Sequence, residues 1–249
     1  MKFKSIRGFL FAAAVFSMAA SVWPQGENPG SAAGLSTAQI VEQMQRHEQL
    51  QTQKLRSYKT LRHYEVEYRG FSKQVEAKMD VEVVYNASSG KNLTIVSQSG
   101  SKFLLDKVLK RAVDSEKEAF QNKKSLALTP ANYRFKQVGR ETLAGRPAYI
   151  LEVEPLVPTK FLYRGRIWVD AADFATVKME TEPAKSPSFW ISRTRIHYTG
   201  VKTDGFWMPR EVRSETSVRI GGVAVLIIDY GNYRIASSPV SEALANLRR

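Results

Sequence analysis

The chain has 249 residues, of which 43% are hydrophobic and none is cysteine, with 37 Lys plus Arg against 24 Asp plus Glu and a formal net charge of +13. The missing cysteine excludes a disulfide and a lipidated N-terminal cysteine, so the fold rests on its core alone. The cations are scattered along the chain instead of massed, which argues against nucleic acid as the partner.

Lys2, Lys4 and Arg7 precede an uncharged run over residues 8–20, and small residues follow at Ser17, Ala19 and Ser21. This is the layout of a cleavable signal peptide over residues 1–21. A membrane anchor is the competing reading, and a run of about a dozen apolar residues falls short of the roughly 20 that span a bilayer. An exported, periplasmic protein is expected. Without the signal the charge is about +10, which suits anionic lipid head groups or an acidic envelope partner, or simply a soluble basic surface.

Residues 22–35 read as a flexible leader rich in Gly, Pro, Asn and Ser. Ser36 followed by Gln39 is a capping box, and Ile40, Val41, Met44, Leu50 and Leu55 recur at helical spacing, predicting an amphipathic helix over 37–56. The period then changes to two. Tyr64, Val66 and Tyr68, then Val75, Ala77, Met79, Val81, Val83 and Tyr85, alternate with charged residues as in a hairpin, and a third strand starts at Leu93. A second helical pattern runs from Leu104 to Phe120.

From Tyr133 strand rhythm resumes, with turns expected at Ala144–Gly145, at 170–173, at 202–205 and at Gly221–Gly222. Evenly spaced turns predict an up-and-down antiparallel sheet of about eleven strands, too many to stay flat. The fold class is thus mainly β with added helices (α+β). One domain over 36–237 is expected, followed by a short C-terminal helix over 238–249 that starts at Ser238 and Pro239.

The search for chemistry yields little. His47, His63 and His197 are the only histidines, and none has a second ligand at metal spacing. Ser88 with Lys91 and Ser99 with Lys102 spell Ser-x-x-Lys, but both fall near turns and lack the companion elements of penicillin-recognising enzymes. Asp170 and Asp173 fit ordinary turn chemistry. The sequons at Asn86 and Asn92 matter only where glycosylation occurs. Aromatic and aliphatic residues on amphipathic strands are abundant instead; they either fill a core or line a hydrophobic cavity under an imperfect helical cover.

Gly145-Arg146-Pro147-Ala148-Tyr149-Ile150-Leu151-Glu152-Val153-Glu154-Pro155, followed by Ile167-Trp168-Val169-Asp170, together with the leading helix, paired strands and helical insertion, resemble the outer-membrane lipoprotein-sorting superfamily. That superfamily includes the carriers LolA and LolB and the N-terminal domain of the regulator RseB. The resemblance implies a LolA-like curled sheet forming a half-open barrel with a helical lid, no catalysis and no cofactor. It also implies an interior that receives acyl chains of a lipoprotein or another lipid. The cavity-lining candidates are Tyr64, Val66, Tyr68, Met79, Val81, Val83, Phe135, Tyr149, Leu151, Phe161, Trp168, Trp190 and Trp207, with Arg62 or Arg69 at the mouth. Unlike LolB, the chain has no lipobox cysteine, which points to a soluble carrier. An envelope sensor that binds a partner protein, as RseB does, is the second reading, and an exported hydrolase is the third.

Overall fold

A computed structural model describes residues 34–71, 73–186, 188–219 and 221–237, leaving out the side chain of Lys123. The expected signal peptide, nearly all of the leader and the expected C-terminal helix lie outside these residues. The first helix, α1 (Thr37–Lys54), starts at the predicted capping box: the Gln39 N–H donates to Ser36 Oγ at 3.3 Å and the Ser36 N–H to Gln39 Oε1 at 2.8 Å. It ends two residues earlier than expected, because Leu55 is already extended and opens the first strand.

Ten strands follow: β1 (Leu55–Arg69), β2 (Gln74–Asn86), β3 (Gly90–Gly100), β4 (Tyr133–Leu143), β5 (Arg146–Pro155), β6 (Tyr163–Asp170), β7 (Thr176–Pro183), β8 (Ile191–Thr203), β9 (Phe206–Val218) and β10 (Val223–Ser237). They form one antiparallel sheet in the order β3-β2-β1-β10-β9-β8-β7-β6-β5-β4, with β3 and β4 as its two free edges. The sheet does not close into a barrel. Ten strands stand where about eleven are expected, and the stretch before Gly221 is one long strand, β9. The alternation of Val212, Ser214 and Thr216 in fact runs unbroken along one face, paired with β8 and β10.

Between the free edges lies the helical insertion, with α2 (Lys102–Leu104), a π-helical stretch Leu105–Leu109, α3 (Lys110–Gln121) and α4 (Lys123–Leu126). Register places one face of the sheet against the helices. Val66 stands between Ala77 of β2 and Leu226 of β10, and Leu151 between Gln137 of β4 and Ile167 of β6. Two separate cores result. The first joins Tyr64, Val66, Ala77, Met79, Val81, Val83, Leu93 and Ile228 to Leu104, Leu105, Leu109 and Val113 of the insertion. The second joins Tyr133, Tyr149, Leu151, Val153, Ile167 and Val169 to Ile40, Val41 and Met44 of α1. Each fully buried side chain of this kind stabilises by about 1.5–3 kcal/mol, so each helical segment is anchored by its own stripe.

Candidate functional site

The insertion packs mainly on β1, β2 and β3, and α1 on β4 and β1. Part of the helix-facing side of the middle strands belongs to neither core. There Tyr163, Thr194, Ile196, Tyr198, Ser214 and Thr216 are half-buried and belong to neither core. Val212 and Leu226 bound this strip on the side of the first core, and Met179 on the side of the second. Thr194 and Thr216 hydrogen-bond across the strands at 3.1 Å, so their hydroxyls are satisfied and their methyl groups remain available. Burial pushes the Tyr198 hydroxyl up to about 12 and raises Tyr163 as well, so both phenols stay neutral at ordinary pH. The strip is uncharged, flanked by aliphatic groups and dotted with hydroxyls.

A buried ion cluster fastens the insertion to the sheet. Arg62 on β1 is only 2% exposed, and its Nη1 donates to Glu116 Oε2 of α3 at 2.5 Å. Lys91 of β3 donates to the other carboxylate oxygen, and the Arg62 guanidinium lies 4.4 Å from the Tyr230 ring centroid. Burial opposes the Arg62 charge, yet Glu116 more than offsets it and the pKa is raised. Burial likewise works against the Glu116 carboxylate, but Arg62 and Lys91 hold it below the usual range. Arg62 Nε and the Tyr64 hydroxyl are buried without a hydrogen-bond partner, which leaves this cluster incompletely satisfied.

A second polar cluster sits at the β6–β7 turn. Asp170 Oδ1 accepts from the N–H groups of Ala172 and Asp173 at 3.0 and 2.8 Å, closing the turn, and both its oxygens accept from Arg146. Asp173 Oδ2 accepts from Arg146, Lys202 and Trp207 Nε1 at 2.8–2.9 Å. Burial opposes both charges, but these donors outweigh it and hold both carboxylates below the ordinary range. The expected turn role of Asp170 and Asp173 is thus extended to Trp207, which their network ties down.

The remaining motifs form no catalytic arrangement. His63 Nδ1 lies 2.6 Å from Asp80 Oδ1, and Ser97 Oγ donates to Asp80 Oδ2 at 2.5 Å. In this cluster the carboxylate, not the imidazole, faces the serine, so no base is placed to activate a nucleophile. Ser99 lies on β3 opposite Lys78, Lys102 lies in α2, Lys91 is bound to Glu116, and Ser88 is held by Asn86. Among the described residues no three His, Asp or Glu side chains are grouped to hold a metal ion.

The predicted lining residues are spread over the fold and do not gather at one site. Tyr64, Val66, Met79, Val81 and Val83 are fully packed in the first core, with Tyr68 beside it, and Tyr149 and Leu151 in the second, with Phe135 beside it. Phe161 is half-buried in the β5–β6 connection. Trp168 faces the other side of the sheet, where its Nε1 donates to Glu141 and Lys178 covers its ring. Trp190 is exposed in the β7–β8 connection. Arg62 is buried in the ion cluster, and Arg69 is exposed and paired with Glu67. The strip's Ile196 and Ser214 escaped sequence reading. A strand whose inward positions read Thr-x-Ile-x-Tyr beside Val-x-Ser-x-Thr is poorer in aliphatic bulk than its neighbours, and that is the signal of a face outside the two cores.

A trough of about 750 Å³ lies elsewhere, over β4 to β8, among Arg134, Lys136, Glu152, Glu154, Arg164, Glu182, Arg193 and Arg195. These residues alternate along their strands with the helix-facing Val153 and Thr181, so the trough opens on the opposite side of the sheet. Its charged walls carry an ion pair, Arg164 with Glu182 at 2.9 Å, and Phe135, Val153 and Ile196 also line it.

No family model and no curated protein matches the chain. Solved structures similar to it include a DUF1329 family protein from Desulfovibrio piger, at 16% identity and a TM-score of 0.39, covering 80% of this chain and 92% of that one. An outer membrane lipoprotein-sorting protein domain from Vibrio parahaemolyticus matches at 12% identity and a TM-score of 0.38 over 80% of this chain and 93% of that one. A LolA superfamily protein from Nitrosomonas europaea matches at 13% identity and a TM-score of 0.33 over 84% and 97%.

Proposed function

We propose that this chain is a periplasmic, non-catalytic binding protein that shields an acyl chain of a lipoprotein or another lipid on the helix-facing side of its sheet. One observation carries the reading: between two packed cores, a strip of Tyr163, Ile196, Tyr198 and their hydroxyl-bearing neighbours is left half-covered. Such a strip is costly unless something apolar occupies it, and it offers no charge to repel a hydrocarbon. Each buried methylene contributes about 0.8 kcal/mol, so a few suffice to hold a guest without a covalent bond. The insertion, latched by Arg62 and Lys91 to Glu116, is the element whose movement would widen the strip. Envelope proteins that load and receive the guest are the expected partners, and no cofactor is required.

The test is native mass spectrometry, with lipid extraction, of protein purified from an envelope fraction. An acyl-bearing ligand is expected at about one per chain, and Ile196→Asp should abolish it while the fold is retained. Consistent absence of any acyl ligand from the wild type would sink the proposal.

A further inference from the structure

The two ends of the sheet differ in what they show to solvent. At one end lie the β1–β2, β5–β6, β7–β8 and β9–β10 connections and the step from β3 into α2. All four exposed large aromatic side chains among the described residues are there: Phe71 at 94%, Phe103 at 68%, Phe189 at 74% and Trp190 at 58% exposure. Leu156 and Val157 are exposed beside them. The connections at the other end are the β2–β3, β4–β5, β6–β7 and β8–β9 turns, and none of them carries an exposed large hydrophobic residue.

The apolar tips are neighbours along one rim. The Phe71 ring lies over Gly221, the Arg219 N–H donates to the Trp190 carbonyl at 2.8 Å, and the Ala184 N–H donates to the Leu162 carbonyl at 2.7 Å. Cations stand between them, with Lys73, Lys102, Lys160, Lys185 and Arg219 all exposed. Arg219 lies 5.2 Å from the Phe189 ring centroid and Lys160 4.4 Å from that of Phe161. Residues 70–73, 101–103, 156–162, 184–190 and 219–222 contain no Asp or Glu at all.

We infer that this rim docks on an anionic lipid bilayer. The tips come from four separate places along the rim, Phe71, Phe103, Leu156 with Val157, and Phe189 with Trp190, and each stands exposed, unlike the single enclosed anchor of a protein interface. Aromatic tips that enter the head-group layer, with Lys and Arg beside them and no acid among them, meet a bilayer's requirements. The inference concerns a different surface from the strip and stands whether or not the strip holds lipid.

Co-sedimentation with vesicles tests it directly. The purified protein should bind phosphatidylcholine vesicles containing about 30% phosphatidylglycerol, bind pure phosphatidylcholine more weakly, and lose binding as salt rises. The pair Phe189→Ala with Trp190→Ala, and separately Lys73→Glu with Lys185→Glu, should each weaken binding about tenfold or more. Lys54→Glu with Lys117→Glu, the same charge change away from the rim, should weaken it far less. Circular dichroism identifies any variant that has failed to fold, and in that case the deciding measurement is quenching of the folded wild type by brominated lipid, which should be lost in Trp190→Phe. Absence of binding to anionic vesicles at low salt would overturn the inference and leave the rim to a protein partner. So would equal losses from the rim and control pairs.

Discussion

Arg62 shows how a single position can mislead a sequence reader. It stands between Leu61 and His63 on an alternating strand, and parity alone puts it on the same face as Tyr64 and Val66. A cation on a core face reads as a rim residue, because nothing in the local sequence announces that Glu116, 54 positions on, is its partner. Removing that partner would strand a buried charge. Glu116→Gln should cost about 2–4 kcal/mol in urea denaturation, less than the loss for a wholly enclosed pair because the carboxylate retains some solvent contact. The same group gives a pH signature. Its pKa in the fold lies below the unfolded value of about 4.3, so its contribution is full above that value and fades as pH falls through the folded pKa. Asp170 and Asp173, also lowered, act with the same sign. The urea midpoint should therefore be flat from neutrality to about pH 5 and drop below about pH 4, with a shallower drop in Glu116→Gln. An identical acid slope in the variant would show that the ion cluster contributes nothing to it.

At the scale of strands and helices, period was a reliable guide wherever one face was buried. The capping box, the first hairpin and the insertion stand close to where the periodicity put them, since burying Ile40 and Val41, or Val66 and Val81, requires that spacing. It failed at β9, whose inward residues Ser214 and Thr216 belong to neither core and carry no aliphatic signal. What the sequence reading also passed over is the pairing on the other side of the sheet. Lys136 faces Glu152, Glu152 faces Arg166, Arg166 faces Glu180, and Arg195 faces Glu215, so opposite charges meet across successive strands. A slip of one residue would put these charges on the helix-facing side, which makes the ladder a second lock on register. Each exposed pair is worth about 0.2–1 kcal/mol, so the effect is cumulative. Glu182→Lys should destabilise by roughly 1 kcal/mol by facing Arg164, and adding Arg164→Glu should restore about half of that in a double-mutant cycle. Additive losses would mean that the ladder does not couple its members.

For the whole molecule, the sheet was legible and its cover was not. Hairpin rhythm revealed a long curled antiparallel sheet, but which strands the helices roof depends on distant packing: α1 on β4 and β1, the insertion on β1 to β3. Most of the expected lining residues belong to the two cores, and the half-buried residues of β8 and β9 belong to neither. This arrangement makes an unusual demand of a mutation. In a filled core, enlarging a side chain forces strain of about 1–3 kcal/mol. Over an open strip the same change finds room and merely takes it from a guest. Ser214, half-buried between Ile196 and Leu226, is the position to use. Ser214→Trp should leave the urea midpoint unchanged or raise it, because the indole covers apolar surface that is otherwise wet. The same substitution should cut the amount of acyl ligand recovered with the protein several-fold. A large loss of stability would mean that the space is already filled by the chain's own side chains, and an unchanged ligand yield would move the guest to some other part of the fold.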